Sequence, residues 1–88
     1  MGPATLGGVP GAGDARSRGG RDQKRREWRG TFFFDVQHEA AIEKLAAARA
    51  KVPYEGPIDG KPQKVSVTIL SYTAGTGAAS FEGSGELA

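Results

Sequence analysis

The stretch Trp28-Arg29-Gly30-Thr31-Phe32-Phe33-Phe34-Asp35 decides the fold. Its alternation places Trp28, Gly30, Phe32 and Phe34 on one face and Arg29, Thr31, Phe33 and Asp35 on the other, the period-two signature of a β-strand. Aromatic residues suit a pleated, half-buried surface, and Phe33 implies that the second face is at least partly covered. A chain of 88 residues must therefore find an interior for several large rings. At this length only ~60–65% of the unfolded chain's surface is buried on folding, so the core is thin. The sequence has no Cys and a single His, His38, which removes disulfides and structural metal as staples and leaves oligomerisation as the remaining one.

Downstream, Asp35 offers an N-cap for a helix running to about Lys51 and ended by Pro53. Ala41, Leu45, Ala48 and Val52, widened by Ile42, form its apolar stripe, with Glu39 and Glu43 early and Lys44, Arg49 and Lys51 late, complementing the helix dipole. Tyr54 to Gln63 reads as two turns, Pro53-Tyr54-Glu55-Gly56-Pro57 and Ile58-Asp59-Gly60-Lys61-Pro62, leaving room only for a short edge strand. Lys64 to Thr73 alternates as a β-branched strand. Ala74-Gly75-Thr76-Gly77 is a hairpin loop, and Ala78 to Leu87 is an amphipathic strand with Ser80, Glu82, Ser84 and Glu86 on its polar face.

Upstream, the composition changes. Eight of the 14 glycines fall in residues 1–30. Leu6 and Val9 are the only sizeable aliphatic side chains between Met1 and Trp28, too few to offset the cost of ordering the backbone. Residues 1–27 are thus expected to be a flexible Gly/Arg-rich arm, joined to a β-α-β-β domain over 28–88. The net charge of +2 conceals a concentrated patch: residues 16–29 carry seven cations against Asp22 and Glu27, while 30–88 are mildly acidic. Arg16, Arg18, Arg21, Lys24, Arg25, Arg26 and Arg29 would neutralise phosphates if the arm binds nucleic acid. The competing readings are a solubilising tail and upstream sequence included by a misplaced start codon.

Chemical motifs are sparse. No Cys is present, no Ser lies near His38 in sequence, and no Gly-x-Ser-x-Gly occurs, so nucleophilic catalysis has no support. Gly56-Pro57-Ile58-Asp59-Gly60-Lys61-Pro62 falls one residue short of a P-loop and places Pro62 where a hydroxyl must meet magnesium. Glu82 and Glu86 are ~13 Å apart along a strand, too far to share an ion. A non-enzymatic protein with no cofactor and no metal is expected. There is no apolar run long enough to cross a membrane and no apolar segment of the kind an export signal needs.

From Glu27 to Leu87 the order of features resembles the C-terminal part of major tail tube proteins of long-tailed bacteriophages and of related prophage or gene-transfer particles. The resemblance rests on Trp28-x-Gly30-x-Phe32-x-Phe34, the Ala-rich helix, the Pro/Gly turns, the Val/Thr-rich strand and the closing Phe81-Glu82-Gly83-Ser84-Gly85-Glu86-Leu87. It implies a β-sandwich or open barrel flanked by one helix, self-assembling into rings, hexameric in that family, that line a channel through which DNA passes without specific binding. Other tail proteins would be its partners and the virion tail its location, after assembly in the host cytoplasm. The fold expected is α+β: a small antiparallel sheet, an incomplete sandwich or barrel, with one flanking helix and a disordered arm. Trp28, Phe32, Phe34, Phe81 and Leu87 would supply subunit contacts, and Ser80, Glu82, Ser84 and Glu86 would face the channel. The chain is either an intact subunit or a truncated remnant; the alternative is a small nucleic-acid-binding protein using the Arg-rich arm.

Overall fold

The computed structural model describes residues 2–19 and 26–85. Within them the chain runs β1 (Gly2–Leu6), β2 (Val9–Gly19), β3 (Arg26–Phe34), a 3₁₀ turn (Val36–His38), α1 (Glu39–Ala48), β4 (Val52–Ile58), β5 (Lys61–Thr73) and β6 (Ala78–Gly85). The class is α+β, a small antiparallel sheet with a single flanking helix. The strands close into a barrel in the order β1-β2-β3-β6-β5-β4, so the sheet is complete and not an open or partial one.

The aromatic strand is the hub. β3 pairs with β2 on one side, from Gly11↔Phe34 to Gly19↔Arg26, and with β6 on the other, from Arg26↔Gly85 to Phe33↔Ala78. Directly opposed residues share a face, so Trp28, Phe32 and Phe34 enter the barrel together with Phe81, Ala79 and Ala15. Tyr54 of β4 meets Phe81 with ring centroids 4.5 Å apart, and its hydroxyl donates to the Pro57 carbonyl at 3.0 Å.

The flexible arm expected over residues 1–27 is corrected here: Gly2–Leu6 and Val9–Gly19 are barrel strands, and the boundary expected at residue 27 falls inside β3. Residues 20–25 lie outside the described residues. The physical reason is complementarity. β1 and β2 bring only small or medium side chains inward, Ala4, Leu6, Val9 and Ala15, but large rings from opposite strands fill the space they leave. A Cβ on Gly11 would stand 2.8 Å from Phe32 Cζ, and one on Gly13 3.0 Å from Tyr54 Cε1. The hairpin turn itself is Gly7-Gly8, with φ of +58° and +86°, the left-handed pair that a tight two-residue hairpin requires.

β4 is a full strand where only turns were expected. Val52, Tyr54, Gly56 and Ile58 point inward while Pro53 and Pro57 lie on the other face. Toward β1 it pairs only Thr5↔Glu55 and Leu6↔Tyr54, an edge-like situation in which a strand tolerates proline. Asp59-Gly60 forms the tight turn into β5, both with positive φ. β5 pairs with β6 across a bulge between Ile69 and Ser71 that leaves Leu70 outward and 47% exposed.

The helix is shorter than expected, because Asp35 caps the 3₁₀ turn, accepting from the Gln37 N–H at 3.1 Å, and Arg49 closes α1 in the left-handed region. Its inner face is Ile42 with Leu45 and Ala46, whereas Ala41 and Ala48 are exposed. Leu45 also seats the β1–β2 turn, where a Cβ on Gly7 would meet its Cδ1 at 2.5 Å.

If the N-terminal hairpin is part of the core, deleting residues 1–19 removes one wall from Phe32 and Tyr54. The truncated chain is expected to lose cooperative urea unfolding and near-ultraviolet circular dichroism; a truncation that still melts cooperatively would restore the flexible-arm reading. Phe81→Ala is expected to cost about 3–5 kcal/mol in the same assay, as for other buried aromatic truncations.

Candidate functional site

The outward side chains of the sheet form the candidate site. Register sets them in rows. Arg16 of β2 lies opposite Arg29 of β3, which lies opposite Glu82 of β6, which lies opposite Thr68 of β5. In the next row Arg18 faces Glu27, and Glu27 faces Ser84. Lys51, just before β4, completes the rim. Together these residues line an open cleft of about 880 Å³. Arg29 Nη2 donates to Glu82 Oε2 at 3.3 Å, an exposed pair worth less than about 1 kcal/mol. Four cations, Arg16, Arg18, Arg29 and Lys51, stand against two carboxylates, Glu27 and Glu82, so the cleft is net positive.

A polar latch holds one wall of this cleft. The Ser17 N–H donates to Asp59 Oδ1 at 3.0 Å, and the Ser17 hydroxyl donates to Asp59 Oδ2. The Asp59 N–H in turn donates to the Ala15 carbonyl at 2.9 Å. The β4–β5 turn thereby grips β2 where its pairing with β1 has ended. The two bonds from Ser17 hold the Asp59 carboxyl below its ordinary range against the opposing effect of burial, and the charges of Arg26 and Arg16 add weaker pulls in the same direction as Ser17. Inside the barrel, burial and then the charge of Asp14 push the Tyr54 hydroxyl up to about 12.

The structure redistributes the residues singled out from sequence. Trp28, Phe32, Phe34 and Phe81 are at most 7% exposed within their own chain, so they are core and not subunit contacts. Leu87 and Glu86 lie outside the described residues, as do Arg21, Lys24 and Arg25. Ser80, Glu82 and Ser84 do share an outward face, and register brings Arg29 beside Glu82, so that this face borders the net-positive cleft. Arg16, Arg18 and Arg29 of the supposed arm join that same surface, and Arg26 donates to the Ser17 hydroxyl at 3.3 Å. Lys51 was not foreseen; its place on the rim follows from the β4–β5 register, which no local pattern reveals. His38 ends the 3₁₀ turn, and among the described residues no three His, Cys, Asp or Glu come together as a metal site. No helix is long and apolar enough to cross a membrane among the described residues. Comparison with known proteins finds no matching family model, no matching curated protein and no matching solved structure.

The latch has a pH signature. A carboxyl held lower in the folded than in the unfolded chain stabilises the fold above its unfolded value, ~3.9, and that contribution disappears as pH falls through the folded value. The gap in urea midpoint between the native chain and Asp59→Asn is therefore expected to be full near neutral pH and to close below about pH 3. A gap that does not change with pH would show that the carboxylate charge does not hold the latch.

Proposed function

We propose that the chain is a non-enzymatic structural subunit of a phage-like tail tube that associates with copies of itself into rings. The observation that carries this reading is the course of the chain: an aromatic strand, one flanking helix, and a final hairpin whose last strand returns to pair with the aromatic strand from Phe33↔Ala78 to Arg26↔Gly85. The tail-tube resemblance implies a β-sandwich or open barrel with one flanking helix; the flanking helix is present here, and the barrel is closed. Because the rings of Trp28, Phe32, Phe34 and Phe81 are used internally, contacts between subunits fall to the large apolar side chains left outside: Phe33 at 37%, Val36 at 57% and Leu70 at 47% exposure. The cationic face bearing Glu82 is not the channel wall in this reading, since its arginines would hold passing DNA.

The alternative, a small nucleic-acid-binding protein, is favoured by one specific observation. Arg16, Arg18, Arg29 and Lys51, scattered in sequence, converge on one cleft.

Ring assembly is tested by light scattering after size exclusion, together with negative-stain microscopy. The native chain is expected to form concentration-dependent closed oligomers, and Phe33→Ser with Leu70→Ser to shift it to monomer while its circular dichroism is retained. A native chain that stays monomeric at every concentration overturns the tube reading.

A further inference from the structure

We infer that the cleft across β2, β3, β6 and β5 is a binding site for single-stranded nucleic acid, held through its phosphates and without preference for base. This rests on the nucleic-acid reading above and assigns the site to the sheet face. Arg16 and Arg18 project from β2 two residues apart, ~6.8 Å along the strand, a separation comparable to that of neighbouring phosphates in an extended single strand. Lys51 stands on the rim at β4, so cations flank the cleft from both sides.

The charge arrangement asks for an anion. Arg16 and Arg29 are directly opposed across β2 and β3, a pairing of like charges that costs stability on its own. Glu82 compensates Arg29, and Asp59 draws on Arg16 from the other side. Arg18 and Lys51 make no ion pair among the described residues. A phosphate chain in the cleft would neutralise these two and relieve the repulsion between the others.

Shape selects the single strand. The surface is concave, about 880 Å³, the volume of a few nucleotides, whereas reading a duplex requires an element that protrudes into a groove. The side chains between the cations are mostly hydroxyls, Ser66, Thr68, Ser80 and Ser84, and Trp28, the aromatic ring in the lining, is 3% exposed and turned into the core, so it offers no open face for a base. Recognition of this kind follows the backbone, depends steeply on salt and ignores sequence.

The test is fluorescence anisotropy of the full chain with a fluorescein-labelled twelve-nucleotide oligo-dT, its duplex with oligo-dA, and a mixed-sequence single strand. With four phosphates neutralised, Kd for the single strand is expected to rise about 50-fold between 50 and 200 mM salt. In Arg18→Gln with Lys51→Gln, neither of which makes an ion pair among the described residues, that rise is expected to shrink to about 7-fold, with weaker binding at 50 mM. A comparison variant carrying Arg21→Gln, Lys24→Gln and Arg25→Gln is expected to keep the larger share of the affinity. No binding of any nucleic acid at 50 mM salt overturns both this site and the nucleic-acid reading. Binding lost in the comparison variant but kept in the Arg18/Lys51 variant, or a duplex bound more tightly than the single strand, overturns the cleft assignment alone.

Discussion

The fit of large rings against bare backbone is the constraint on which the barrel depends. Trp28, Phe32, Tyr54 and Phe81 are almost wholly buried in a chain too short to surround them with other large side chains. Room comes from glycines on the facing strands. A Cβ on Gly11 or Gly83 would come within 2.8 Å of Phe32 or Trp28 ring atoms, and one on Gly13 would stand 3.0 Å from Tyr54 Cε1. Close packing of this kind gathers much dispersion and apolar burial from few residues, which is how a chain of this length can form a core without a disulfide. Gly11, Gly13, Gly56 and Gly83 are therefore the complement of the aromatic content and belong to the same interior, while Gly7, Gly8, Gly60 and Gly75 serve turns.

That complementarity explains which parts of the fold can be read from sequence. β3, β5 and β6 announce themselves through alternation of β-branched or aromatic residues with polar ones, and the helix through Ile42 and Leu45, whereas the cap at Asp35 serves the 3₁₀ turn before it. β1 and β2 do not, because Ala4, Gly11, Gly13 and Ala15 contribute an inner face made mostly of absence; the information lies in the rings opposite, more than 15 residues away. Gly7-Gly8 between Leu6 and Val9 was the one local sign of a hairpin. β4 was masked by Pro53 and Pro57, whose turn-forming habit is outweighed once Val52, Tyr54 and Ile58 find the interior. The cleft was legible only in pieces. Arg29 and Glu82 belong to different segments and, from sequence, to opposed readings; it takes the register of β3 on β6 to make them neighbours.

The same strand that completes the core also carries the charge. β2 turns Ala15 inward and Arg16 and Arg18 outward, so ordering the N-terminal hairpin for the sake of Phe32 and Tyr54 fixes the position of two of the four cations. Loss of the hairpin would remove core and cleft together. This coupling distinguishes a cationic surface that is part of a barrel from the same residues on a loose segment, where each phosphate contact would carry the entropy of ordering the chain.

Closure of the barrel adds the last element. β1 and β4 share only two residue pairs, too few to hold the seam, and the remaining length is secured by Asp59, whose carboxylate and N–H reach Ser17 and Ala15. The latch acts on β2 within the very residues that flank Arg16. A carboxylate there serves two ends: it holds the backbone of β2 against the β4–β5 turn, and its charge offsets part of the repulsion between Arg16 and Arg29 while the cleft is empty. Its bonds go to the Ser17 backbone and hydroxyl, so it acts on Arg16 through its field and not through a bond. The seam can thus be tight while Arg16 and Arg18 beside it make no ion pair among the described residues.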